Sequence, residues 1–327
     1  MHSNKIVDAL IGLAVGDALG VPVEFEQRET LKAHPVADMR GYGTHHQPAG
    51  TWSDDSSLAF CLSESLCKGY DLQDIARNFV RWYHDGYWTP HGKVFDIGIA
   101  TSRALHRLAG GVSPLVSGGV SEQDNGNGSL MRILPLVFCL KDQPVAERFR
   151  MVSEVSAITH GHIRSIVACF IYCEYALQLL GGQEKYEALK QMQQTVNSFF
   201  NDFDACPEEE LNRFHRLLEN PVGDYQIQPI HAYSEDEIRG SGYVLHTLEA
   251  SLWCLLTTGS YAEAVRKAVN LGEDTDTTGC VTGGLAGIYY GLSAIPREWV
   301  AVLARKEEIL ALAGRLHRKY DPESNSL

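Results

Sequence analysis

The sequence predicts an all-α fold, on three observations. Apolar residues recur at spacings of three and four along most of the 327-residue chain. Segments with strict period-two alternation are few and short, and there is no repeat of fixed period and no low-complexity tract. The composition, 44% hydrophobic and 21% charged, is that of a globular protein able to bury a large core, so one compact domain over 1–327 is expected.

The elements follow in chain order. Val7, Leu10, Ile11, Ala14, Val15 and Ala18 form one stripe of a first helix, which Pro22 ends, turning the chain toward Glu24. Gly12, Gly16 and Gly20 recur every fourth residue, on a face that another backbone could approach closely. A Gly- and His-rich loop spans 41–50. Hydroxyl and carboxylate residues at 51–57 then precede Leu58, Cys61, Leu62, Ser65 and Leu66 at helical spacing, as a helix N-terminus prefers. Further helices are expected over 72–83, 93–108, 147–157 and 164–180, the last closed by Gly181-Gly182. The stretch from about 183 to 240 is polar and acidic, with two short amphipathic pieces and a Pro-containing segment at 221–229. It reads as a peripheral insertion, with a small subdomain as the alternative. Helices resume over 242–257 and 260–271, and the run Gly272–Gly279 opens a small-residue helix through Ala286 to Tyr290.

A formal net charge of −13 excludes a long nucleic-acid partner unless a strongly basic patch exists. The densest basic stretch, Arg305–Lys319, is interrupted by glutamate and apolar residues. Eight cysteines without a CxxC pair suggest neither a zinc framework nor a disulfide scaffold, so a reducing, cytoplasmic setting is expected. The N-terminus lacks a signal-peptide pattern, and Asp8 and Asp17 break the apolar run from Ile6 to Val23, making a poor membrane span. His45 with His46, or His84 with His91, lack cysteine partners at ligand spacing, and a zinc reading of them is set aside.

Two acidic clusters carry the chemistry: Ser53, Asp54, Asp55 and Ser56, then Asp274, Thr275, Asp276, Thr277 and Thr278. Two carboxylates 4 Å apart repel by about 4 kcal/mol at an effective dielectric near 20, so a buried group of four needs a cation. Oxygen ligands of this kind suit magnesium or manganese better than zinc. Either cluster alone reads first as a helix cap; on spacing, the pair reads no better than evenly as a two-metal site. The alternating glycines of Asn125-Gly126-Asn127-Gly128-Ser129-Leu130-Met131-Arg132 let backbone N–H groups converge on an anion such as a pyrophosphate, although Asn-Gly pairs alone are commonly plain turns.

In this order, Gly16–Gly20 with Pro22-Val23-Glu24, the Ser53–Ser56 run, Asn125–Arg132, Thr159-His160 and Gly272–Gly279 resemble the ADP-ribosylglycohydrolase family, and within it the type that removes ADP-ribose from an arginine. The resemblance implies a compact orthogonal helical bundle with a binuclear magnesium centre. It assigns Ser53, Asp54 and Asp55 to one half of the metal site and Asp274, Asp276 and Thr277 to the other. It implies two Mg2+, with Mn2+ as a substitute. Glu24 matches an acidic residue that controls access or water activation in some members. Asn127, Gly128 and Ser129, with Asn125 and Gly126 before them, fall in the loop that holds the diphosphate and distal ribose. His160 aligns with a histidine near the ADP-ribose, and reads equally as a structural helix-end residue. Phe95-Asp96-Ile97-Gly98 resembles a motif of the arginine-specific branch, whose aspartate lies beside the scissile bond and could pair with a guanidinium. Without the resemblance, Asp96 reads as a solvated helix residue.

The expected activity is hydrolysis of the N-glycosidic bond between ADP-ribose and a protein arginine, with Asp96, Glu24 or Asp55 as proton carrier. Spacing does not choose among the three. Rival readings are hydrolysis of an O-linked ADP-ribose (on serine, or O-acetyl-ADP-ribose), a non-catalytic ADP-ribose-binding protein, and a phosphoesterase cutting the diphosphate. The expected partner is an ADP-ribosylated protein or a small ADP-ribose conjugate, met by a monomer with no nucleic acid and no membrane.

Overall fold

The computed structural model describes residues 4–219 and 228–321. Its helices of nine residues or more are α1 (Lys5–Gly20), α2 (Asp54–Leu66), α3 (Leu72–Asp85), α4 (Ile99–Ala109), α5 (Val145–Ala157), α6 (Ile163–Leu180), α7 (Lys185–Asp202), α8 (Val244–Leu256), α9 (Tyr261–Val269), α10 (Thr275–Tyr290) and α11 (Lys306–Tyr320). Among the described residues there are isolated β-bridges and no strand, so the fold is all-α as the periodicity predicts.

The centre of the fold is the pair α1 and α10, and glycine is the reason they pair. A Cβ on Gly12 would lie 2.5 Å from the Gly283 carbonyl oxygen, and one on Gly16 would lie 2.1 Å from that of Gly279. Reciprocally, a Cβ on Gly287 would meet the Asp8 carbonyl oxygen at 2.2 Å. The two backbones therefore touch, and any side chain in the seam must push them apart. Each helix-interior glycine costs about 1 kcal/mol relative to alanine. Close backbone packing offsets that, and Tyr261 Oη bonds the Gly12 carbonyl at 2.6 Å from the flanking α9. The Lys5–Val23 stretch, α1 with the turn after it, and α6 are long and apolar enough to cross a membrane, yet both are largely buried inside the protein.

Around this pair, α2 is capped twice at its start, by Ser53 Oγ accepting from Asp55 N and by the Asp17 carboxylate reaching over from α1. Asp71 caps α3, which ends on left-handed Gly86. α7 lays Leu189, Met192, Val196 and Phe199 into the core, with Phe199 against Phe149 and Phe170.

Two expectations need correction, and one helix was not foreseen. The helix expected over 93–108 begins only at Ile99, because Gly98 takes an extended N-cap conformation and Asp96 is left-handed at φ 49°. Val94 and Ile97 still pack on the core, which is why the spacing looked helical. The 183–240 stretch opens with the 18-residue α7 rather than a short piece, while residues 220–227, within the Pro-containing segment, lie outside the described residues. Finally, the basic stretch at 305–319 is a helix with Ile309, Leu312, Ala313 and Leu316 buried and its cations outward.

Candidate active site

The start of α2, the start of α10, and the segments 24–25, 96–101, 126–128 and 242 enclose a cavity of about 490 Å3. Glu24, Asp54, Asp55, Asp96, Asp274 and Thr277 face it together with Gly126, Asn127, Gly128 and His160. A groove of about 560 Å3 elsewhere, between α3 and the loop after α4, shares no residue with it and holds no carboxylate.

Local structure explains each placement. Asp17 sits on α1 wholly buried, accepting from Ser53 N at 2.9 Å, Ser56 N at 3.0 Å and Ser56 Oγ at 2.5 Å. It thereby fixes the first turn of α2 and the directions of Asp54 and Asp55. Asp276 rides on α10 where a Cβ on Gly20 would strike it, and Thr275 Oγ1 bonds the Gly20 carbonyl at 2.9 Å. The segment after Glu24 pairs with the residue before Asp274: Phe25 N donates to Glu273 O at 2.6 Å and Glu273 N to Glu26 O at 2.8 Å. Thr277 Oγ1 donates to Asp55 Oδ1 at 3.3 Å, and Asn127 Nδ2 to Asp274 Oδ2 at 2.9 Å.

These carboxylates fit divalent cations. Asp55 Oδ2, Asp274 Oδ1 and Asp276 Oδ2 are buried and have no hydrogen-bond partner. Glu24, Asp274 and Asp276 bring ligand oxygens within 4.8 Å of one another. Burial first, and neighbouring carboxylates second, hold Asp54, Asp55 and Asp276 well above the ordinary carboxylate range. Buried negative charges without partners are costly, and cations among them remove both the desolvation and the repulsion. Ser53 Oγ is engaged in capping α2, and neither Ser53 nor Asp276 lines the cavity itself, although Asp276 lies within ligand distance of Glu24 and Asp274.

Across from the aspartates lies the 126–128 loop. Gly128 is needed there because a Cβ would sit 2.7 Å from His160 Cε1 and 2.9 Å from Thr101 Oγ1. Asn125 and Ser129 belong to the loop but turn their side chains inward. Asn125 accepts from Ser165 Oγ at 3.0 Å, and Ser129 Oγ accepts from Cys169 Sγ at 3.4 Å. His160 is buried, its Nδ1 is 2.7 Å from Thr159 Oγ1, and burial followed by the Arg132 charge pushes its pKa down to about 3. It is neutral at physiological pH.

At the mouth, His45 Nε2 bonds Glu24 Oε2, and the imidazole lies between the Phe25 and Phe95 rings, 6.1 and 5.3 Å away. Burial raises Glu24 to about 8, while the bond to His45 opposes that rise. Asp96 faces the same corner, and its carboxylate, Glu24 and His45 place ligand atoms within 4.8 Å of one another. Sequence reasoning missed His45, because it weighed the histidines only as zinc ligands with cysteine partners. His91 instead bonds Thr51 Oγ1 at 2.9 Å, and His84 stacks on Tyr83. Asp17 was also missed as a supporting residue. A carboxylate inside an otherwise apolar, glycine-rich helix was the signal for it.

A family model for ADP-ribosylglycohydrolases matches residues 2–325. The chain belongs to the ADP-ribosylglycohydrolase family. It is 34% identical over 316 residues to the ADP-ribosylarginine hydrolase Tri1 of Pseudomonas putida (strain GB-1), across 96% of this chain and 78% of that protein. It is 30% identical to the ADP-ribosyl-(dinitrogen reductase) glycohydrolase of Rhodospirillum rubrum, across 95% of this chain and 97% of the relative. A solved chain of an ADP-ribosylglycohydrolase-related protein complex superposes with a TM-score of 0.77 at 35% identity, covering 97% of this chain and 98% of that one. This ADP-ribosylglycohydrolase is thus a hydrolase, built on the helical fold of its relatives, with buried acidic clusters able to hold metal.

Proposed function

We propose that the chain hydrolyses the N-glycosidic bond between ADP-ribose and an arginine side chain, with two magnesium ions as cofactors. The observation that carries this reading is the convergence in one cavity of the unpartnered buried oxygens of Asp55 and Asp274, with Asp276 within ligand distance of Asp274, an anion-receptive glycine loop and a half-exposed aspartate. The relatives named for arginine and for dinitrogen reductase support the linkage.

Asp54, Asp55, Asp274, Asp276 and Thr277 would hold the ions. When bound, these supply Lewis-acid character and an ordered, acidified water. The protein's own groups do the rest. The 126–128 loop receives the diphosphate, and neutral His160 offers a hydrogen bond beside it without adding charge. Asp96 faces the aglycone, where a carboxylate complements a guanidinium's paired donors. Glu24, raised to about 8 by burial in the structure as it stands, is placed to hold or release a proton at its Oε atoms, with His45 orienting it.

The test is incubation with ADP-ribosyl-arginine, with and without chelator. Intact ADP-ribose should appear only when magnesium or manganese is present. Release of AMP would replace this reading with diphosphate hydrolysis. Turnover of ADP-ribosyl-serine alone would move it to an O-linked substrate.

A further inference from the structure

Arg132 closes the Asn125–Arg132 motif, yet it does not line the cavity. It is fully buried beneath the glycine loop. Its Nη1 donates to the Gly128 carbonyl and its Nη2 to the Val155 carbonyl at 3.3 Å, Phe79 lies 4.8 Å under the guanidinium, and Nε–H has no partner. Among the described residues no carboxylate forms an ion pair with it, while Arg148, Arg150 and Arg164 each have one. Burial lowers its pKa to about 10, so it is still a cation at neutral pH. Only the Asp54 charge, beyond ion-pair distance, supports it from within the protein, and a guanidinium sealed in this way bears a large desolvation cost unless a further anion completes the site.

The loop above it shows where that anion belongs. Gly126, Gly128 and Ser129 N–H groups donate to no protein acceptor among the described residues. In a trans peptide, a carbonyl and the following N–H point opposite ways. By drawing the Gly128 carbonyl toward the interior, Arg132 turns Ser129 N–H outward from the core. The grip and the charge thus serve one end.

We propose that Arg132 is a positioning residue for diphosphate recognition. From below the loop it fixes the peptide that presents the N–H donors, and its buried charge is balanced by the diphosphate of the bound substrate. The inference rests on the ADP-ribose reading above. It assigns this loop a cation that the cavity surface does not display, and it explains how a chain of net charge −13 holds a dianion beside a ring of aspartates.

Calorimetric titration of ADP-ribose in saturating magnesium tests it, with Arg132→Met, Arg132→Gln and Arg132→Lys beside the wild type. Arg132→Met should weaken ADP-ribose binding by at least ~30-fold. Arg132→Gln, which keeps a donor and loses the charge, should recover little. Arg132→Lys, which keeps the charge, should return to within ~5-fold. Magnesium binding should be unchanged in all three. If Arg132→Met does not fold, the Gln and Lys pair carries the comparison. A purely structural arginine would lower the melting temperature in every variant and leave the affinity of the folded fraction for ADP-ribose within ~3-fold, which overturns the proposal. Binding of ADP-ribose by wild type and Arg132→Met alike sinks this inference alone. Absence of binding by the wild type sinks the functional reading, and this inference with it.

Discussion

Beneath the residues that line the cavity, Asp17 and Asp276 ride on α1 and α10, two helices pressed backbone to backbone. At its rim Phe25 and Asp96, and beside it Tyr42 and His46 in the loop that carries His45, hold left-handed φ angles between 49 and 69°. Floor positions are fixed by what is missing, side chains that would separate the helices. Rim positions are fixed by side chains that are present, such as His45 clasped to Glu24 and Thr44 Oγ1 bonded to the Glu24 carbonyl at 2.7 Å. Left-handed non-glycine residues cost on the order of 1 kcal/mol or more each and persist only where neighbours over-determine them. Asp276 is thus seated in the packed seam, and Asp96 in the strained loop.

The largest effect is expected from Asp276→Ala. Turnover should fall by roughly 1000-fold, the upper range for a group that stabilises developing charge. The metal-free protein should gain stability, because one buried carboxylate is gone, and the rise in melting temperature on adding magnesium should disappear. Near-normal turnover from a folded Asp276→Ala would show that the floor is only a pair of helix caps.

Asp96→Asn probes the rim with the shape preserved. Hydrolysis of ADP-ribosyl-arginine should drop by at least ~100-fold, as for a positioned acid–base or charge-pairing group. ADP-ribose and magnesium affinities should stay within a few fold, measured by calorimetry. Loss of ADP-ribose binding would instead place Asp96 in the nucleotide site.

Gly16→Ala asks whether the seam is as tight as it looks. With a Cβ only 2.1 Å from the Gly279 oxygen, the helices must part. Destabilisation of roughly 1–3 kcal/mol is expected by urea unfolding, with a weaker metal affinity, since Asp276 moves with α10. Gly92→Ala, at a loop glycine where a Cβ meets nothing within 4 Å, is the matched control, though φ 79° will cost it something too.

A further effect concerns pH. His160 is held near 3 in the folded protein against 6.5 when exposed. The stability tied to its neutral form is therefore whole above 6.5 and is lost as pH falls from 6.5 toward 3. His160→Gln should flatten the acid limb of stability by up to one proton across that window, read from unfolding free energies at stepped pH. An unchanged slope would mean that His160 titrates normally.

Most helices were legible in the sequence because an apolar stripe is a local property, and the Gly12–Gly16–Gly20 spacing announced a close approach before any partner was known. The site was legible only in part. Both aspartate clusters stood out, yet their convergence from distant segments is not written in either one. His45 and Arg132 escaped because their roles arise from tertiary contacts, with Glu24 and with Gly128. Asp96 was read onto a helix since Val94 and Ile97 mimic helical spacing while packing one by one. α11 escaped notice because its cations dominate the composition and mask the stripe beneath.

The α1–α10 seam also sets the order in which this enzyme comes into being. Tyr261 meets Gly12 across 249 residues of chain, and Thr277 meets Asp55 across 222. Closing so long a loop adds only about 0.6 kcal/mol per doubling of length, so the final stability hardly registers it, but the folding rate does. During synthesis α1, apolar and glycine-rich, waits for a partner more than 250 residues further along the chain. Until then its contact face is an exposed adhesive surface, and Asp54 and Asp55 have no opposing half. Until α10 has been made, the site is incomplete and the α1 face lacks its partner, the kind of transiently exposed apolar surface that invites wrong contacts.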